Sequence, residues 1–211
     1  MTETASRGGA ELGMRGQEES SGILRTQYRF NASPKPIAKQ TMNPCPNSFF
    51  ERDTLDVAHD LVGALLVRER PDGNRDPLVG RIVETEAYTQ DDPAFHGWNL
   101  YDAETDTVRT EGRGADLFTA PGLGYVYLCY GVHWLLNVVT EPEGIGGAVL
   151  IRAVEPRSGL DRMRARRGDR RERDLTNGPG KLTEAFAIDD DFHQTRLTEP
   201  PLYFVRDDVP E

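Results

Sequence analysis

Lysine is nearly missing from this sequence. Only Lys35, Lys39 and Lys181 occur in 211 residues. An enzyme that attacks through an amine needs a lysine in its pocket, and only Lys181 lies in the body of the chain. Cysteine is as scarce. Cys45 and Cys129 are too few for a disulfide framework or a cysteine-based zinc site. The four histidines, His59, His96, His133 and His193, have no metal-ligand spacing, so neither a metal nor a cofactor is expected. No apolar run approaches the ~18 residues of a membrane helix. The opening MTETASRGGAELG has no signal-peptide core. Together these absences point to a reduced, cytoplasmic compartment and to no membrane partner.

What is present is an ordinary globular composition, 37% hydrophobic and 28% charged, long enough for one domain with a real core. The net charge is −10, which taken alone argues against nucleic acid. The distribution qualifies that. From Arg152 to Lys181 there are ten basic residues against five acidic ones, whereas Glu184–Glu211 holds eight acids and two arginines. A solvated charged helix and a phosphate-binding segment both fit the basic stretch.

Residues 1–45 are rich in Gly, Ser, Thr and Glu without periodicity, and are expected to form a disordered arm ahead of one domain over 46–211. Asp53 or Thr54 can cap a helix carrying Leu55, Val57, Leu61 and Leu65 on one side. The turn PDGN, at 71–74, separates the strands GALLVRER and LVGRIVETEAY. A long acidic loop covers about 89–116. In YVYLCYGVHWLLNVVT, two apolar runs meet at Tyr130-Gly131, a hairpin tip whose glycine supplies positive φ. GGAVLIRAVEP is a buried strand, 157–173 a short helix with a loop, and TNGPGKLTEAFAI a helix that starts after Gly-Pro-Gly. PPLYFVRDD is a last strand. Strands that neighbour in sequence, with helices between them, predict a single mixed α/β (α+β) domain. Its sheet is curved and largely antiparallel, with surrounding helices and a protruding hairpin.

Alternation along RIVETEAY puts Glu84, Glu86 and Tyr88 on one face. Two carboxylates and a phenol there fit a general base tuned by burial, or a solvated strand edge. Asn137 is polar within an apolar strand, either a satisfied core amide or a specificity group. Arg152 ends an apolar run and could simply pair with a glutamate. NGPGKL sets backbone N–H groups and Lys181 at a helix start, which serves as an anion site or as a plain cap. His96, alone in a loop, has no assigned role on spacing.

The ordered strings RIVETEAY, DDPAFH, LGYVYLCYGVHWLLNVV, AVLIRAVEP and NGPGKL resemble the alkyladenine (3-methyladenine) DNA glycosylase family over about residues 50–206. The resemblance implies an enzyme that flips damaged purines out of duplex DNA and hydrolyses the N-glycosidic bond, leaving an abasic site. By that resemblance Glu86 is the general base and Arg152 helps hold the attacking water. Tyr88, His96, Tyr127 and Asn137 form the base pocket, and Tyr130 inserts into the minor groove. Arg164, Arg166, Arg167 and Lys181 are the expected phosphate contacts. The implied partner is double-stranded DNA containing alkylated or deaminated purines, bound by a monomer at the nucleoid. A non-catalytic damaged-DNA-binding module of the same fold is the alternative. Two features depart from the family pattern: the acidic stretch after His96, and the end of the chain at Glu211, where the family continues into further strands.

Overall fold

The computed structural model describes residues 43–69, 76–109 and 111–206, together with two short strands upstream. Those strands, β1 (Gln17–Glu18) and β2 (Leu24–Gln27), lie within the expected N-terminal arm. Residues 43–45 of that arm are described, with Cys45 buried, while the remainder of it and the PDGN turn lie outside the described residues.

The elements follow the order of the chain. Helices α1 (Asn47–Phe50) and α2 (Thr54–Leu61) lead into β3 (Leu65–Arg68) and the long β4 (Leu78–Thr89). The acidic stretch contains a small ribbon of β5 (Tyr101–Asp102) and β6 (Thr107–Val108), and ends in a 3-10 turn at Arg113–Phe118. The hairpin of β7 (Gly124–Cys129) and β8 (His133–Val139) precedes β9 (Gly147–Ser158). Helices α3 (Leu160–Arg167) and α4 (Pro179–Phe186) follow, then β10 (Thr198–Glu199) and β11 (Leu202–Val205).

The main sheet runs β10-β11-β3-β4-β9-β8-β7 with every pairing antiparallel. The architecture is therefore the expected one, a mixed α/β domain on a curved antiparallel sheet. β4 is its spine. β9 lines one edge for most of its length, and β3 pairs the other edge only from Leu78 to Arg81. β2 takes over that edge opposite Glu84–Ala87.

α2 starts where sequence chemistry dictates. The Asp53 carboxylate accepts from the N–H groups of Leu55 and Asp56, satisfying two otherwise orphaned donors. Its buried face is Thr54, Val57, Ala58 and Leu61. The helix ends before Leu65, which lies in β3, and Leu55 is exposed. The expected stripe of Leu55, Val57, Leu61 and Leu65 therefore spans two elements: Gly63, at φ 97°, turns the chain between them. α4 starts with Pro179 in its first turn, where no N–H is needed, and buries Leu182, Ala185 and Phe186.

Phe50, Phe186 and Phe204 centre the main core. A second cluster, built on Phe95, Leu117, Phe118, Tyr125, Val139 and Ala148, joins the acidic segment to the sheet. Tyr88 and Tyr127 pack against its edge. This smaller core is the bed on which the site is built.

Candidate active site

The pleat of β4 turns Glu84, Glu86 and Tyr88 to one side, as alternation requires. Glu86 is buried, with its side chain 4% exposed, while Glu84 is partly exposed. The Arg152 Nε, from the neighbouring β9, lies 3.2 Å from Glu86 Oε1 and 3.5 Å from Glu84 Oε1. Tyr88 donates its hydroxyl to Glu86 Oε2 at 2.7 Å. A buried carboxylate is costly unless charge and hydrogen bonds compensate it, and Glu86 has one partner on each oxygen.

Beside this carboxylate lies a small cavity of about 50 Å³, lined by Tyr88, Ala94, Phe95, His96, Leu117, Tyr125, Tyr127, Asn137 and Ala148. Four of these, Tyr88, His96, Tyr127 and Asn137, are the residues expected from the sequence. The imidazole of His96 leans on the Tyr127 ring, centroids 4.3 Å apart, and its Nδ1 is 3.2 Å from the Tyr125 hydroxyl. Burial pushes the Tyr125 and Tyr127 phenols up to about 12 and lowers His96 below its ordinary value of 6.5. All three rings are therefore neutral near pH 7. A Tyr125 hydroxyl donating to Nδ1 leaves Nε2–H as the donor of His96.

Asn137 is buried in β8 and donates from Nδ2 to the Tyr125 carbonyl at 3.1 Å. Its amide is fixed by the strand pair that carries it, because Tyr125 and Asn137 are register partners. Asn137 therefore makes a core hydrogen bond and also lines the cavity.

At the far end of the same hairpin, Tyr130 is 97% exposed. Tyr130 and Gly131 have φ of 50° and 70°, and the Val132 N–H closes the turn on the Cys129 carbonyl at 3.0 Å. The tip is as narrow as the sequence suggested. Leu128 and Val132 are exposed beside Tyr130, which makes the tip an apolar wedge. The sequence reading missed these two, although their alternation with Tyr130 was visible. The hairpin is braced by α4 just behind its tip. Thr183 donates to the Trp134 carbonyl at 2.7 Å, and a Cβ on Gly180 would meet the His133 side chain at 2.7 Å.

The basic residues divide. Arg166 donates to the Ala185 carbonyl at 2.7 Å, and Arg167 pairs with Glu184, so both fasten α3 to α4. Arg164 faces Asp161, one turn back on its own helix, at 3.6 Å. Lys181 is exposed at the start of α4 with its Nζ on Asn177 Oδ1 at 2.8 Å. That amine is hydrogen-bonded at the surface and does not line the aromatic cavity, which removes it as a pocket nucleophile. Among the described residues no cluster of acids, histidines or cysteines could hold a metal, and no helix is long and apolar enough to cross a membrane.

The sequence that builds this site matches a known family. The model of methylpurine-DNA glycosylases covers residues 48–211. The chain belongs to the methylpurine-DNA glycosylase family. A relative from Salinibacter ruber is 66% identical over 168 residues, covering 79% of this chain and 81% of its own. Relatives from Chlorobium phaeobacteroides and Methanoculleus marisnigri are 50% and 46% identical, covering 68% and 74% of this chain and 68% and 75% of theirs. All three bear the name 3-methyladenine DNA glycosylase, given provisionally. Membership in this family makes DNA the substrate and base removal in DNA repair the activity.

Proposed function

We propose that this protein excises alkylated and deaminated purines by flipping the nucleotide out of the duplex and hydrolysing its N-glycosidic bond. The observation that carries the reading is Glu86: a buried carboxylate, held by Tyr88 and Arg152, at the edge of an aromatic cavity. The flipped base stacks between Tyr88 on one side and Tyr127 with His96 on the other. Stacking recognises any purine face, and the polar groups of His96 and Asn137 sort the edges.

Chemistry then needs a water at C1′. Glu86 accepts a proton from that water while Arg152, 3.2 Å away, orients the carboxylate. The C1′–N bond breaks and its electron pair leaves with the base. The water oxygen bonds C1′, and the sugar is left abasic. The positive charge that develops on the sugar sits beside Glu86, so the carboxylate also stabilises it electrostatically. A purine alkylated at N3 or N7 leaves without protonation, because it is already cationic.

Tyr130, with Leu128 and Val132, enters the minor groove and restacks the gap left by the flipped nucleotide. Lys181 and Arg164 contact phosphates, whereas Arg166 and Arg167 serve the fold.

The test is single-turnover excision from duplexes containing 7-methylguanine or hypoxanthine, with wild type and Glu86→Gln. Loss of a general base typically costs about 10²–10⁴-fold. Wild-type release of free base, and a variant that binds the same duplex but releases it at least a hundredfold more slowly, is expected. A variant with more than half the wild-type rate excludes Glu86 as the base. No release by wild type, with lesion-selective binding retained, would make the protein a binding module.

A further inference from the structure

The outer edge of β7 is closed in an unusual way. At Gly124 ordinary backbone does it: its N–H donates to the Thr195 carbonyl at 2.8 Å, and Gln194 N–H donates to its carbonyl at 2.7 Å. Two residues along, the facing chain turns away into the 3-10 turn at Asp190–Phe192. Side chains take over there. His193 Nδ1 accepts the Val126 N–H at 3.3 Å, and Arg113 donates to the Val126 carbonyl at 2.6 Å. Both peptide groups of Val126 are thus gripped from outside the sheet.

The grip is itself anchored. His193 Nε2 lies 2.9 Å from Asp116 Oδ2. A carboxylate only accepts, so Nε2 carries the hydrogen and Nδ1 keeps the lone pair that Val126 requires. One tautomer satisfies both contacts. Arg113 in turn pairs with Asp190. Asp116 and Arg113 belong to the turn that ends the acidic segment, 77 residues from their partners in sequence. The neighbours of Val126 are Tyr125 and Tyr127, both walls of the cavity. The His193 ring also packs edge-on against Tyr125, centroids 5.6 Å apart, and Tyr125 holds His96 through its hydroxyl.

We propose that His193 and Asp116 are positioning residues for the base pocket, fixing Tyr125, Tyr127 and His96 through the Val126 peptide. Neither touches the flipped base, and the inference rests on the glycosylase reading. A binding constellation is held productively only to within about 0.5 Å, and a 1 Å misplacement can cost about a hundredfold in rate. Rotation of an edge strand about its axis swings its side chains further than its backbone, so loosening one peptide at Val126 suffices. The competing role is edge protection alone: a sheet edge with unsatisfied N–H and C=O groups is a liability whatever lies behind it.

Four variants separate the contacts. His193→Gln keeps a donor near Asp116 and removes the acceptor for Val126. His193→Asn keeps the acceptor and removes the donor. Asp116→Ala removes the anchor, and Asp116→Asn retains an acceptor without charge. Each is measured for melting temperature, affinity for a lesion duplex, and single-turnover rates on 7-methylguanine and hypoxanthine. Ring–ring NOEs between His96 and Tyr127 are recorded in the DNA-free proteins.

His193→Gln and Asp116→Ala are expected to slow excision ten- to a hundredfold at a temperature where both are fully folded. Affinity should stay within threefold, the ratio of the two lesion rates should change, and the His96–Tyr127 NOEs should weaken. Asp116→Asn should restore most of the rate, and His193→Asn should fall between. If all four variants only melt earlier, with wild-type rates, lesion ratio and NOEs, the pair is edge protection and the proposal is overturned. Were wild type itself to excise neither lesion, the glycosylase reading would fail. The NOEs would still decide this proposal: unchanged NOEs in His193→Gln and Asp116→Ala would sink it, and lost ones would uphold the positioning role.

Discussion

Tyr88 donates its hydroxyl to Glu86 from two residues further along the same strand, at 2.7 Å. The period of a β-strand makes that contact, since residues i and i+2 share a face. It couples two jobs, because the ring that walls the pocket also orients the carboxylate. Tyr88→Phe keeps the ring and deletes the hydrogen bond. A hydrogen bond to a charged group contributes about 1.5–3 kcal/mol, so single-turnover excision should fall roughly tenfold to a hundredfold with little change in lesion affinity. Stopped-flow binding and quenched-flow excision on one duplex measure both. A wild-type excision rate in Tyr88→Phe would mean that Tyr88 acts only by stacking.

Tyr130→Ala should weaken lesion-duplex binding by about 1–3 kcal/mol, the worth of one aromatic stack. The side chain is 97% exposed, so the melting temperature should barely change. A large drop in melting temperature at constant affinity would show that the ring packs against the protein.

Asn137→Ser removes volume beside the cavity and frees the Tyr125 carbonyl from its amide partner. Guanine differs from hypoxanthine by one amino group, and a mismatch of that size is worth ~1–3 kcal/mol. The variant should release measurable guanine from undamaged duplex while hypoxanthine excision falls modestly. Abasic sites counted after long incubation decide it, and a wild-type level of guanine release would assign Asn137 to packing alone.

His96 should titrate below its ordinary value of 6.5, because burial disfavours its charged form. In unfolded chain the imidazole protonates at about 6.5, so the unfolded state takes up the proton first as pH falls. Its contribution to stability is therefore complete above pH 6.5 and is lost as pH drops through the lower folded value. NMR titration of His96, compared with denaturation midpoints for wild type and His96→Gln between pH 5 and 7.5, checks both points. An inflection above 6.5 would contradict the burial argument.

Binding should weaken with salt by about 0.9 log units per log unit for each phosphate contact. Lys181→Ala and Arg164→Ala should each flatten that slope by about one contact. Arg167→Ala should leave the slope alone and lower the melting temperature, because Arg167 is committed to Glu184. A flattened slope for Arg167→Ala would add Arg167 to the phosphate contacts.

Local signals carried most of the fold. Asp53 before an apolar run and Tyr-Gly between two apolar strands each act within a few residues and lie where expected, whereas α4 starts inside Gly-Pro-Gly, at Pro179, because proline suits a first turn that needs no N–H. Leu65 was misplaced because a helical period can continue by chance through a turn that Gly63 alone marks. The face that carries the carboxylate was readable for the same reason as the fold: Glu86 and Tyr88 are two apart. Other features needed tertiary packing. Arg166 and Arg167 look like free cations in the sequence, and only the approach of α4 engages them. Phe95, Leu117 and Ala148 floor the cavity from three separate segments. His193 and Asp116 carry no mutual sequence signal at all.

The backbone at Tyr130 turns at φ 50°, a region where a side chain with a Cβ costs about 1–2 kcal/mol relative to glycine. Asparagine also tolerates that geometry. A library at position 130 ranked by melting temperature should therefore place Gly and Asn above the native tyrosine, while the same library ranked by lesion capture should place them near the bottom. Thermal screening and DNA binding would pull this one position in opposite directions, so a thermostabilised version selected blindly is expected to lose its wedge first.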